Sequence, residues 1–389
     1  MITSASCSLS APPVRLAPPP LSLYVHFPWC LRKCPYCDFN SHAVRGEIPE
    51  AAYIDALIGE VERTLPEIWG RPVATIFIGG GTPSLLTPEG VDRFLTAMRT
   101  LLPVRPWAEV TLEANPGVFE VARFRAYKAA GVNRLSIGIQ SFDDRHLHAL
   151  GRIHDSRAAR AAAEAGREIF EQLNLDLMYA LPGQTLPELE VDLATALDFA
   201  PSHLSCYHLT LEPNTAFAAA PPPLPDDDLA AAMQDRVEEV LADAGYDHYE
   251  TSAFARPGQA CRHNLNYWQF GDYLGIGAGA HSKLSFPDRV IRRANRKSPR
   301  EYLAGSAPAD ERLLGIDDLR FEFMMNTLRL TAGFESGLFT ERTGLGWETV
   351  LADVGQAESR GLLERQGLTV LPTALGRRYL NDLLEIFLT

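Results

Sequence analysis

Three cysteines, Cys30, Cys34 and Cys37, fall within eight residues in the stretch LSLYVHFPWCLRKCPYCDFN at positions 21–40. A disulfide framework needs an even number of cysteines. A structural zinc site wants four ligands, usually with C-x-x-C pairs. Thiolates at the spacing C-x-x-x-C-x-x-C can instead wrap one face of a 4Fe–4S cubane and ligate three of its four irons. The fourth iron then keeps an open position for a chelating small molecule. The alternative is zinc, with His26 or His42 as fourth ligand. That spacing is unusual for zinc, and Trp29, Tyr36 and Phe39 are placed to shield a redox centre.

The cysteines follow directly on an apolar run, LSLYVHF, that reads as a strand. Short apolar runs then alternate with helical patterns: VATIFIGGG, EVTLEAN, RLSIGIQ, LNLDLMYAL and HLSCYHLTL, with helices between them. Near-continuous apolar runs suit parallel strands covered by helices. Polar and glycine residues sit at the C-terminal ends of these runs, the rim that carries chemistry in β/α barrels. The expected fold is α/β, an open six-unit (β/α) partial barrel over 21–215. A Pro-rich, flexible lead-in is expected over 1–20, and a linker, helix and polar aromatic segment over 216–308. Residues 309–389 read as a helical, winged-helix-like end domain with a turn at Gln366–Gly367. A solvated hairpin is expected at RVIRRANRKSPR, 289–300.

The rim residues have individual physical readings. Gly80 and Gly81 in GGGTPS allow close backbone approach, because no Cβ intervenes. Glu113 in LEANP is a carboxylate suited to ribose hydroxyls. Arg152 in LGRIH is a fork donor for a carboxylate. Asp176 in LNLDLMYALPG is an acid in an apolar strand, which calls for a polar partner.

Together with the cysteine loop, these motifs resemble the radical S-adenosylmethionine superfamily, and within it the oxygen-independent coproporphyrinogen III oxidase family. The resemblance runs over residues 21 to 385. It implies the radical SAM type of partial barrel, a 4Fe–4S cluster on Cys30, Cys34 and Cys37, and S-adenosyl-L-methionine on the open iron. It further implies that Tyr24, Tyr36, Gly80, Gly81, Thr82, Glu113, Gln140, Arg152 and Asp176 line the S-adenosylmethionine pocket. Thr210 is expected on the adenine side and His281 in the same cavity.

One position departs from the oxidase branch. That branch has a fourth cysteine two residues after the third, where this chain has Phe39. The segment HNLNYW, 263–268, matches instead the H-N-x-x-Y-W motif of the heme chaperone subfamily. Imidazole is a common axial heme ligand and tyrosine can ligate ferric iron. In a helix, His263 and Tyr267 are neighbours on one face, so one ligates and the other supports it. Arg262 is expected to pair with a propionate. The resemblance implies a heme chaperone of porphyrin metabolism that passes heme to acceptor proteins. The first rival is coproporphyrinogen oxidation by a 5′-deoxyadenosyl radical, and the second a radical enzyme with an unrelated substrate.

Composition sets the outer bounds. Lys and Arg total 36 and Asp and Glu 49, a net charge of −13, so a nucleic acid is an unexpected partner. Six cysteines in 389 residues exclude a disulfide scaffold. No apolar run of about 18 residues is present, so no membrane span is expected. The N-terminus lacks the pattern of a signal peptide, and a cytoplasmic protein is the expectation.

Overall fold

The computed structural model describes residues 17–117, 120–305 and 308–388. The expected lead-in lies, up to residue 16, outside the described residues. Six parallel strands form where the apolar runs place them: β1 (Leu21–Phe27), β2 (Val73–Gly80), β3 (Val104–Ala114), β4 (Arg134–Gln140), β5 (Gln172–Tyr179) and β6 (His203–His208). Between them run α1 (Glu50–Ile68), α2 (Pro88–Leu101), α3 (Glu120–Ala130), α4 (Asp144–Ala149), α5 (Ser156–Ile169) and α6 (Leu186–Asp198). Their starts are fixed locally. Thr87 accepts from the Gly90 amide, Asp155 from the Ala158 amide, and Thr185 with Glu188 forms a capping box.

The strands carry two different faces. Leu23, Val25, Ile76, Ile78, Leu135 and Leu175 are buried in the main apolar core with the helices. The alternate residues face inward and are polar: Arg134, Ser136, Gly138 and Gln140 on β4, and Asn174 and Asp176 on β5, all line one cavity. The runs are therefore strands buried on both faces whose character alternates with a period of two, apolar outward and polar inward. A packed barrel interior of branched aliphatics is absent along these strands.

The sheet is larger than six units. α7 (Asp227–Asp243) leads to β7 (Asp247–Glu250) and β8 (Ala253–Ala255), and β8 pairs antiparallel with β6. α8 (Arg262–Trp268) follows, and then β9 (Asp272–Ile276) pairs parallel with β1. β10 (His281–Phe286), β11 (Arg289–Ala294) and β12 (Asp310–Leu313) continue the edge as antiparallel strands. The final order is β12-β11-β10-β9-β1-β2-β3-β4-β5-β6-β8-β7. The glycine-rich GDYLGIGAGAHS is thus partly strand, and a Cβ on Gly275 would lie 1.9 Å from the His281 carbonyl oxygen. The hairpin at 289–300 is not solvated as expected: Val290 and Ile291 are buried, Arg292 pairs with Glu322, and Arg293 pairs with Glu67 and Glu311.

A second apolar core holds α9 (Ile316–Thr327) and the C-terminal residues, with Phe323 ringed by Phe270, Phe334 and Phe339. Its small sheet includes Leu363–Gln366 paired antiparallel with Thr369–Pro372, with Gly367 at φ 66° in the turn.

One buried ion cluster joins β9 to the rest. Asp272 is fully buried and meets Lys283 Nζ at 3.0 Å and Arg71 Nη2 at 2.9 Å, while the Ser285 amide donates to it at 2.7 Å. Removing one member leaves a buried charge without a partner. Asp272→Ala is expected to lower unfolding free energy by about 3–5 kcal/mol. Urea denaturation followed by circular dichroism measures this, and a loss under about 1 kcal/mol would contradict it.

Candidate functional site

The inward residues surround a cavity of about 1600 Å³. That exceeds the roughly 300–1,000 Å³ usual for one small ligand. It runs from the cysteine loop at the C-terminal ends of the strands to Arg134 and His203 at their N-terminal ends.

The mouth comes first. Cys30, Cys34 and Cys37 all line the cavity, and the Cys37 amide donates to the Cys34 carbonyl at 3.2 Å, closing the turn. Burial pushes the Cys30 and Cys37 thiols up, so they stay protonated unless a cation compensates the thiolates. Among the described residues no three His, Cys, Asp or Glu side chains converge as a single-ion site. His26 is no free ligand, since its Nδ1 meets the Tyr24 hydroxyl at 2.9 Å and its Nε2 the Asn40 carbonyl at 2.9 Å. Three soft thiols around open space fit an iron–sulfur cluster better than zinc. Phe39 does not shield this centre as expected: it is 60% exposed, and with Leu31 at 58% it forms an apolar lip.

Arg152 reaches the loop from behind. Its Nη1 donates to Cys34 Sγ at 3.7 Å and to the Tyr36 hydroxyl at 3.5 Å. Its Nη2 donates to Asn115 Oδ1 at 2.5 Å and to the Gly138 carbonyl at 2.8 Å. The guanidinium therefore organises the wall around the cysteine loop, with less of its fork left for a ligand carboxylate than expected. Asn115, which the sequence reading missed, also donates to Thr82 Oγ1 at 3.0 Å. Its only sequence signal is its place at the end of β3.

Gly80 and Gly81 are needed for a nearer reason than a ligand. Gly80 sits at φ 112°, with the His26 ring 2.7 Å from where its Cβ would be, and the Trp29 carbonyl oxygen lies 2.6 Å from that of Gly81. They lock β2 against the cysteine loop. Gln140 holds φ 67° at the rim, a strained backbone for a non-glycine residue. Thr210 also lines the cavity and donates to Glu212.

Two carboxyls face the interior. Glu113 accepts from the Gly80 amide at 3.1 Å, and burial, with the nearby Asp176 charge, pushes its carboxyl up to about 8. Asp176 accepts from Asn174 Nδ2 at 2.8 Å and Ser136 Oγ at 3.2 Å, and burial raises it to about 6. Two carboxyls so displaced in one cleft mark it as a candidate functional site.

Several predicted residues lie elsewhere. Tyr24 stacks behind Phe77, centroids 6.3 Å apart, and spends its hydroxyl on His26. His281 is exposed at the start of β10. His263 and Tyr267 do form the expected i, i+4 pair on α8, with His263 Nε2 3.1 Å from the Tyr267 hydroxyl. Neither lies on the cavity wall. His263 is 1% exposed and stacks near Phe77 at 5.0 Å, while its Nδ1 meets Thr75 Oγ1 at 2.7 Å. Thr75 donates to Ser22 at 2.7 Å, so Nδ1 carries the imidazole proton and Nε2 accepts from Tyr267. Burial drops the imidazole to about 3, which keeps it neutral. Asn264 and Cys261 are the members of this segment that line the cavity. Arg262 is exposed and donates to the Trp107 carbonyl at 3.0 Å, away from the main cavity.

Known proteins match this arrangement. The Radical SAM superfamily pattern matches residues 24–196 and the HemN C-terminal domain pattern residues 316–379. Heme chaperone HemW of Escherichia coli (strain K12) is 46% identical, covering 95% of this chain and 98% of its own length. Heme chaperone HemW of Bacillus subtilis (strain 168) is 35% identical, covering 94% and 99%. Among solved structures, coproporphyrinogen III oxidase (HemN) from Escherichia coli, a radical SAM enzyme, superposes with a TM-score of 0.81 at 26% identity, covering 96% of this chain and 91% of that one. Among the described residues no helix is long and apolar enough to cross a membrane.

The raised Glu113 has a measurable consequence. The folded state holds this proton more tightly than the unfolded chain, so its contribution to stability is complete below about pH 4.5 and is lost as pH rises through about 8. In protein stripped of cluster and cofactor, the stability of Glu113→Gln relative to the parent should rise across that window. Denaturant midpoints taken from pH 5 to pH 8.5 test it, and a pH-independent difference would refute it.

Proposed function

The chain belongs to the heme chaperone HemW family, within the radical SAM superfamily, and on that premise we propose that it binds heme and passes it to acceptor proteins. The observation that carries this is the HNLNYW helix, with a neutral imidazole set beside the cavity. Cys30, Cys34 and Cys37 are the cluster ligands, and when bound the 4Fe–4S cluster supplies an iron with an open position and one-electron chemistry. S-adenosylmethionine takes the mouth of the cavity. There Tyr36, Thr82, Gln140 and Arg152 form the wall, and Glu113 and Asp176 present carboxyls to its hydroxyl and ammonium groups. Gly80 and Gly81 hold the strand end that shapes this pocket, and Tyr24 supports it from behind Phe77. The setting is the cytoplasm, where thiols stay reduced. A nucleic-acid partner is disfavoured by the −13 charge.

His263 is the axial ligand in this reading. With the proton on Nδ1, the Nε2 lone pair is the one open to iron once the Tyr267 hydroxyl leaves it, and burial keeps the ring unprotonated near neutral pH. Iron at Nε2 displaces the Tyr267 hydroxyl, so loading needs α8 to shift or Tyr267 to swing away. Trp268 adds a flat apolar surface. Coproporphyrinogen oxidation is not the activity proposed: Phe39 stands where that branch has its further cysteine, and it forms part of the lip of the mouth.

Two outcomes check this. After anaerobic reconstitution, His263→Ala should weaken heme binding at least about tenfold and shift the Soret band, with iron and sulfide content unchanged. Tyr267→Phe should do less, whereas Cys30→Ala, Cys34→Ala or Cys37→Ala should each abolish the cluster. Parent-like heme affinity and spectrum in His263→Ala would sink the ligand assignment. The reduced, reconstituted protein should also yield no protoporphyrinogen IX from coproporphyrinogen III, and vinyl products seen by mass spectrometry would restore the oxidase reading.

A further inference from the structure

The floor of the cavity holds two arginines whose N–H groups are not all used. Arg134 is 2% exposed and lines the cavity. Its Nη1 carries all its contacts: Gln172 Oε1 at 3.0 Å, the Gln259 carbonyl at 3.2 Å and Glu109 at 3.7 Å. Its Nη2 is buried and has no partner. Arg329 lines the same cavity, lies 4.4 Å over the Trp268 ring, and reaches Glu250 only at 3.4 Å, with its buried Nε unpartnered. A buried guanidinium normally satisfies its donors; Arg134, at 2% exposure, leaves its Nη2 unmet, and Arg329, whose side chain is 29% exposed, leaves its buried Nε unmet on the same cavity.

Both arginines flank the HNLNYW helix. Glu109, the loose partner of Arg134, accepts from the Arg262 amide at 3.2 Å and the His263 amide at 3.0 Å, and so caps the start of α8. Arg329 sits over Trp268 at its end. Between them Cys261 and Asn264 face the cavity. Nearby, His203 and Asn174 bond each other at 2.6 Å, His203 also meets the Tyr249 hydroxyl at 2.8 Å, and burial holds His203 neutral.

We propose that Arg134 and Arg329 form a paired carboxylate subsite at the cavity floor, taking the two propionates of heme. The assignment rests on the heme reading above. A guanidinium matches a carboxylate with two parallel N–H donors, and heme carries two carboxylates on one edge. A propionate on Arg134 competes with Glu109, which loosens the cap on α8 at the residue that carries the axial imidazole. Cargo binding and exposure of His263 are thereby linked through one shared arginine.

The test compares heme with heme dimethyl ester on the full-length, cluster-loaded chain, by absorbance titration. The parent should bind heme at least about tenfold more tightly than the ester. Arg134→Gln and Arg329→Gln should each lose about tenfold for heme and little for the ester. Equal affinity of the parent for both ligands, or parent-like heme binding in both variants, overturns the subsite while leaving the heme reading intact. If Arg134→Gln fails to fold, because Glu109 loses its counter-charge, Arg329→Gln and the ester comparison decide alone. A parent that binds neither ligand overturns the heme reading, and the subsite with it.

Discussion

The constraint on which the molecule depends is the polar inner face of its parallel strands. Arg134, Ser136, Asn174 and Asp176 point where a closed barrel would place branched aliphatics. Buried polar groups are costly unless they find partners. A tightly packed barrel is therefore unavailable, and the interior remains a cavity whose side chains bond one another where they can. Ser136, Asn174 and Asp176 form one such group, and Asn174 with His203 another. The outer face bears the burden of stability, through apolar side chains packed under six helices.

An interior of that kind has to be bounded, and α8 supplies part of the boundary. It lies against β2 on the side of Thr75 and Phe77, fixed by Glu109 at its start and by the Asn266 side chain, which donates to the Asp272 carbonyl at 2.8 Å. Asp272 in turn is tied to Lys283 and Arg71, so the strand after the motif and the motif itself share one anchor. His263 is held closed with both ring nitrogens bonded. In the heme reading, that closed imidazole is a resting state, and the buried Glu109–Arg134 pair, 3.7 Å apart, is the contact in which a propionate on Arg134 takes the place of Glu109.

At the opposite end the cysteine loop is organised by Arg152 and by the glycine turn after β2. Arg152 joins Cys34, Tyr36, Asn115 and Gly138, so the loop, β3 and β4 hold one arrangement. Gly80 and Gly81 let β2 come within contact of His26 and Trp29. Open space is thus kept beside three thiols, of which Cys30 and Cys37 are held protonated by burial until a cation arrives.

The sequence alone determined the six strands, their helices and the spacing of the three thiols, because these depend on local periodicity and on residues adjacent in the chain. It also placed Glu113 and Gln140 at one rim, since every parallel strand ends on the same side, whereas Asp176 lies within its strand and Arg152 in the loop after α4. It could not reveal that β9 to β12 extend that sheet, because GDYLGIGAGAHS has no apolar period strong enough to declare a strand, and pairing with β1 supplies it. Nor could it show which face of HNLNYW meets the cavity. Helical spacing pairs His263 with Tyr267 whatever surrounds them, but only tertiary packing turned them toward Thr75 and Phe77 and left Asn264 on the cavity wall. The two floor arginines were equally illegible: Arg134 opens an apolar strand, Arg329 follows a helix, and 195 residues separate them in the chain until the fold closes.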